Sequence, residues 1–223
     1  MTNSDEPEAT KPKYVLGRSW THRLALIVVR PLANTPITPN HLTTLRLITG
    51  LLACYCFATG DRSLVIWGGW IWVVSAFLDR ADGELARVSG KTSPWGHKFD
   101  MFCDSAVTSL FFVAGGIGLR DAELLGAELG DWAIVMGVAG GLGVLAAEYF
   151  AEQIDKRNDD PADSAYPGFA GFDFDDVLYL FAAVAWLDVF MPFVVGASIG
   201  APAFALLTWY RWQRLPPQET IRD

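Results

Sequence analysis

Asp79, Asp82, Asp100 and Asp104 recur at helical spacing, three apart in the first pair and four apart in the second. Residues so spaced share one face of a helix, with Cβ atoms about 5–6 Å apart. Two antiparallel helices joined by a short loop can bring all four carboxylates together. At about 6 Å and an effective dielectric near 20, each like-charged pair repels by about 3 kcal/mol. Such a group needs a counter-charge. An all-carboxylate donor set suits Mg²⁺, Mn²⁺ or Ca²⁺ better than zinc, and ions held this way commonly bridge to substrate phosphate oxygens. The four aspartates are therefore candidate metal ligands.

The residues between them fit a phosphate substrate. Gly83 removes a side chain next to Asp82 and lets a ligand lie against the helix. Ala86, one turn on, is also small. Arg87 offers a rigid fork for phosphate oxygens. Gly96 stands one turn before Asp100 and is expected to open the facing helix in the same way. A glycine inside a helix costs about 1 kcal/mol relative to alanine, so two at one level need a reason.

The run Asp79-Arg80-Ala81-Asp82-Gly83-Glu84-Leu85-Ala86-Arg87, eight further residues, Gly96, Asp100 and Asp104 resembles the signature of the CDP-alcohol phosphotransferase family at every fixed position. The entry Pro39-Asn40-His41-Leu42-Thr43 and the apolar segments extend the likeness over most of the chain. The resemblance implies an enzyme of phospholipid biosynthesis. It would move a phosphatidyl or similar group from a CDP-alcohol, CDP-diacylglycerol above all, to a hydroxyl acceptor, releasing CMP. It implies two Mg²⁺ or Mn²⁺ ions on Asp79, Asp82 and Asp100. Asp104 would lie near metal and act as general base. Gly83 and Ala86 would make room for cytidine, and Arg87 would meet the diphosphate. It also allows a homodimer.

Other polar residues are open to two readings. Arg46 and Arg80 either belong with this group or snorkel to lipid headgroups. Glu84 meets the acceptor or merely water. Lys91, His97 and Lys98 attract an anionic acceptor or, by preference, anionic lipid. Glu148, the loop from Glu152 to Phe172 with Lys156 and Arg157, and Asp173, Asp175 and Asp176 should border the acceptor side. Few basic residues stand there, which leans toward a neutral or cationic alcohol. The Asp82-Gly83-Glu84 run instead looks like the branch that uses inositol phosphate. Two other classes compete: a prenyltransferase that binds Mg-diphosphate, and a cation transporter.

These residues must be positioned by a membrane bundle. Of 223 residues, 52% are hydrophobic and 19% charged, below the charge of a usual soluble domain. The net charge of −8 argues against a nucleic-acid partner. Cys54, Cys56 and Cys103 lie in apolar runs with no disulfide or zinc spacing. Six stretches are long enough to span a bilayer: about 40–58, 63–88, 96–119, 132–154, 174–190 and 192–212. Pro192 suits a helix start. Short connections make consecutive spans antiparallel neighbours. Gly137, Gly140, Gly141 and Gly143 would let helices approach closely.

Residues 14–31 mix Trp20, Leu24 and Ile27 with Arg18, His22, Arg23 and Arg30. That suits an interfacial helix with its basic groups toward lipid phosphates. The expectation is an all-α, six-helix integral membrane domain over residues 14–215, with a disordered tail at 1–13 and a short tail at 216–223. With the N-terminus inside, only Arg62 and Arg120 of 17 Lys and Arg fall outside. This positive-inside bias places the aspartates on the cytoplasmic side, and the small size fits a bacterial inner membrane.

Overall fold

The computed structural model describes residues 20–157 and 176–215. The expected tails at 1–13 and 216–223, and most of the loop from Glu152 to Phe172, lie outside them. Among the described residues seven helices run in order: α1 Trp20–Val29, α2 Pro39–Ala58, α3 Arg62–Ser89, α4 Pro94–Gly118, α5 Asp131–Asp155, α6 Val177–Trp186 and α7 Phe190–Arg214. A 3₁₀ turn, Arg30–Leu32, follows α1.

Local chemistry sets the helix ends. Pro39 opens α2, and the Thr38 backbone N–H donates to His41 Nδ1 at 3.2 Å. Asp61 caps α3 by accepting from the Leu64 N–H at 3.0 Å. Gly90, left-handed at φ 66°, ends α3. Ser93 accepts from the Gly96 N–H at 2.9 Å, and Pro94 starts α4. Four residues thus reverse the chain between the two motif-bearing helices.

The all-α membrane bundle agrees with the sequence. Among the described residues five helices, α2, α3, α4, α5 and α7, are long and apolar enough to cross a bilayer. The count differs from six, because α6 has ten described residues and is shorter than a span. The chain turns at Leu187–Val189, with Asp188 at φ 59°. Pro192 is therefore the third residue of α7 rather than its first, still in the turn whose N–H groups lack helical partners. The connection between α4 and α5 holds a small addition, an antiparallel pair of Glu123–Leu124 (β1) and Ala127–Glu128 (β2).

Packing departs from simple succession. α2 lies against both α3 and α4, which are not themselves a closely packed pair. α5 packs on α4 and α7, and α3 packs on α1 and α6. The gap between the C-terminal end of α3 and the N-terminal end of α4 is where the motif residues stand. Glycines in α5 serve packing: a Cβ on Gly137 would stand 2.3 Å from the Phe112 carbonyl oxygen, and one on Gly143 would stand 2.5 Å from the Pro202 nitrogen.

Away from the motif residues the core is aromatic. Phe57, Trp72, Phe111 and Phe181 are buried together, and the Phe111 and Phe181 rings stack at 4.5 Å. Among helices in lipid, such van der Waals packing, not water exclusion, drives association.

α1 buries Thr21, Ala25 and Val29 against its neighbours and exposes Trp20, Leu24, Ile27 and Val28. Arg23 and Arg30 are exposed. His22, expected to face lipid phosphates, points inward to Glu84.

Candidate active site

The long α3 carries two polar faces at its C-terminal end. Asp79, Asp82, Gly83 and Ala86 lie on the face toward α2 and α4, since successive helical residues advance by about 100°. Asp82 is buried and accepts from the buried Thr43 hydroxyl of α2 at 2.7 Å. Carboxylate oxygens of Asp79, Asp82 and Asp100 lie within 4.8 Å of one another.

Arg46 of α2 reaches into this group and is 2% exposed. Its Nη1 stands 3.1 Å from Asp79 and 3.9 Å from Asp100, and its Nη2 donates to Asp104. The snorkelling reading of Arg46 is thereby overturned. A charge at this depth costs too much unless it faces acids, and that cost is the signal by which an arginine inside an apolar run could have been assigned to the site.

Asp104 stands apart from the other three. The structure gathers Asp79, Asp82 and Asp100, while Asp104 turns to Arg46 and to a different cavity. One guanidinium facing four carboxylates leaves an excess of negative charge. Asp100 Oδ1 is buried without a hydrogen bond, as are Arg46 Nε and Nη1. A buried polar atom left in this way costs free energy until something partners it. Together with the all-oxygen donors, this orphaned oxygen makes the residues fit a hard divalent cation.

Two cavities meet the group. One of about 380 Å³ is lined by Asn40, Thr43, Asp82, Gly83, Ala86, Arg87, Gly96, His97 and Asp100. A larger one of about 780 Å³ lies between the first half of α4 and the last half of α5. Its walls include Asp104, Ser105, Glu148, Tyr149, Glu152 and Lys156. The first is lined by Gly83, Ala86 and Arg87; the second brings Asp104 to a separate cavity that also holds Glu148, Glu152 and Asp155.

The two motif glycines differ. A Cβ on Gly83 would meet nothing nearer than the Arg87 guanidinium at 3.9 Å, so the space above it is open. A Cβ on Gly96 would stand 2.6 Å from Asn40 Oδ1. Gly96 lines the cavity but, contrary to the expectation of a second opening, its missing side chain admits Asn40.

A protein-family model described as CDP-alcohol phosphatidyltransferase matches residues 36–209. The chain belongs to that family. A curated relative, the archaetidylinositol phosphate synthase of Pyrococcus horikoshii, is 40% identical over 99 residues, which make up 43% of this chain and 51% of that protein. The chain thus spans about half the length of the curated relative it matches. Membership of the CDP-alcohol phosphatidyltransferase family replaces the prenyltransferase and transporter readings.

Glu84, Arg80 and Lys91 of this family member all have partners within the protein. Glu84 is fully buried, not turned to acceptor or water. Its Oε1 meets Arg87 Nη1 at 2.6 Å and His22 Nδ1 at 2.8 Å. Arg80 does not snorkel either: it is buried, with Nη2 3.5 Å from Asp176. Lys91 donates to the Thr35 and Ile37 carbonyl oxygens, bracing the entry to α2, rather than reaching lipid. Thr43, Asn40 and Ser105 were missed in the sequence; Thr43 and Asn40 sit one and two turns before Arg46 on the same stripe of α2.

Proposed function

We propose that this chain transfers a phospho-alcohol group from a CDP-alcohol to a hydroxyl acceptor, releasing CMP. The observation that carries the reading is the placement of the motif acids between two cavities, with Asp82 and Asp100 on one and Asp104 on the other.

In this reading the smaller cavity takes the CDP end of a CDP-linked lipid. Gly83 and Ala86 leave room for cytidine, Gly96 forms the facing wall, and Arg87 meets the diphosphate. Asp79, Asp82 and Asp100 hold divalent metal, with Asp104 beside it, and we assign Mg²⁺ or Mn²⁺, two ions in all. Bound there, the metal would neutralise charge on the diphosphate and on the departing CMP.

Arg46 orients Asp104 through Oδ1, and the other carboxylate oxygen takes the proton of the acceptor hydroxyl in the larger cavity. The acceptor oxygen then bonds to the lipid-side phosphorus as the bond from that phosphorus to the CMP oxygen breaks. The relative's printed name supports inositol phosphate as the acceptor to try first. The acid lining of the larger cavity, Glu148, Glu152 and Asp155, supports an unphosphorylated alcohol as the second. The donor follows the host lipid, diacyl as in CDP-diacylglycerol or its ether counterpart.

The positive-inside bias supports a cytoplasmic site, in an inner membrane if the host is bacterial. The small-residue faces of the bundle are compatible with a homodimer.

The test is purified full-length chain in lipid nanodiscs with Mg²⁺ or Mn²⁺, CDP-diacylglycerol or its ether analogue, and a panel of inositol phosphate, glycerol phosphate, inositol and serine. CMP release with one acceptor, abolished by EDTA, is the expected result. No CMP from any pair by a folded sample defeats the reading, and turnover unaffected by EDTA removes metal from it.

A further inference from the structure

α3 presents a second buried polar group on the face turned away from the metal-type carboxylates, and the chemistry above does not use it. It begins at Glu84, which has no solvent exposure. Glu84 Oε1 accepts from Arg87 Nη1 at 2.6 Å, one turn along the same helix. The same oxygen lies 2.8 Å from His22 Nδ1 of α1. The other ring nitrogen, Nε2, lies 3.2 Å from Arg80 Nη1. These contacts are satisfied together when the ring proton is on Nδ1, so that His22 donates to Glu84 and accepts from Arg80. Arg80 continues to Asp176 Oδ1, which also accepts from the Thr21 hydroxyl at 2.7 Å.

One end of this chain of contacts emerges at the smaller cavity. Arg87 is half exposed and lines it. Its Nη1 and Nη2 are the atoms nearest to where a Gly83 side chain would be, at 3.9 and 4.0 Å. A ligand lying in the opening over Gly83 therefore meets a guanidinium gripped from behind by a buried carboxylate. An arginine at a surface normally samples many rotamers, and ordering it on binding costs affinity. Here that ordering is done beforehand, by Glu84 and by a histidine from another helix.

We infer that Glu84 and His22 are positioning residues for the nucleotide: through them α1 fixes the Arg87 fork over the space beside Gly83, where it receives the diphosphate. This rests on the proposed function, and the assay separates the two. If only scaffolding were at work, loss of Glu84 or His22 would lower stability and turnover whatever stood at position 87. If positioning is at work, their loss matters through Arg87.

The experiment measures CDP binding by calorimetry with Mg²⁺ present, and donor KM and kcat, on the full chain in nanodiscs. Glu84→Gln, which keeps volume and an acceptor oxygen, and His22→Ala are made alone and with Arg87→Ala. Each single variant is expected to weaken CDP binding and raise donor KM by about tenfold, with kcat within about twofold, and to add nothing in the Arg87→Ala background. Should His22→Ala not fold, His22→Gln, which can keep a group near Arg80 while losing the donor to Glu84, carries the same comparison. Unchanged CDP binding in the single variants overturns the inference, and so does an equal further loss in the Arg87→Ala background. A wild type that neither binds CDP nor releases CMP defeats the proposed function instead.

Discussion

Two buried charged groups share one stretch of α3 and differ in how they are closed. On the face toward α2 and α4, Asp79 and Asp82 meet Asp100 and Arg46, acids are in excess, and Asp100 Oδ1 and two Arg46 nitrogens lack hydrogen bonds. On the other face, Arg80, Glu84, His22, Asp176 and Thr21 alternate donors with acceptors, and none of their side-chain atoms is left buried without a partner. Buried polar groups are normally satisfied, so the exceptions ask for an explanation. Both groups carry charge into the bundle. Only the first is built as if something else completes it.

The strongest break in this comparison is at Asp104. Asp104→Asn should lower kcat by about 10²–10⁴ while CDP binding stays within a few-fold, measured by CMP release and calorimetry. A variant that loses CDP binding and keeps turnover per bound donor contradicts a proton-accepting role.

The closed face should respond in stability. Asp176→Ala leaves Arg80 buried beside a missing partner, and loss of one member of a buried pair costs about 3–5 kcal/mol. Denaturant unfolding in detergent checks this. Replacing both together, Arg80→Met with Asp176→Leu, should recover most of the loss; if it does not, the pair does more than hold α3 to the start of α6.

The two glycines sharpen the contrast on a smaller scale. Gly96→Ala pushes a methyl against Asn40 and should destabilise by about 1–3 kcal/mol. Gly83→Ala meets no neighbour closer than 3.9 Å, so thermal unfolding should be unchanged or slightly later, while CDP binding weakens. Intact CDP binding in Gly83→Ala would mean that the opening is not ligand space.

The smallest effect belongs to the end of the bundle away from the motif residues. Arg120 and Asp131 form a largely exposed pair at 2.8 Å. Arg120→Ala should change stability by no more than about 1 kcal/mol and leave CMP release at the wild-type rate. A large drop in rate there would tie the connection between α4 and α5 to chemistry at the opposite end.

Reading the sequence gave different returns at different residues. The gathering of Asp79, Asp82 and Asp100 was legible because it depends on spacing along two helices, and spacing is a property of the chain. Glu84, next in line, was not legible: its partner His22 is 62 residues away. Arg46 and Arg80 looked alike as single cations in apolar runs, yet one enters the acid group and the other closes the scaffold. The expected span at 174–190 is matched among the described residues only by the ten-residue α6, because an apolar run does not say where the backbone turns, and the turn comes at Leu187–Val189.

By itself the amino-acid sequence determined that this is a helical membrane protein with an acid-rich site at one end, because apolar length and helical period are local and the cost of charge in lipid is general. Only the tertiary structure decided that α2 lies between the motif helices, that Arg46 enters the acid group, and that Asp104 faces a second cavity. Those facts depend on how helices far apart in the chain cross, and that is set by side-chain packing among all of them at once.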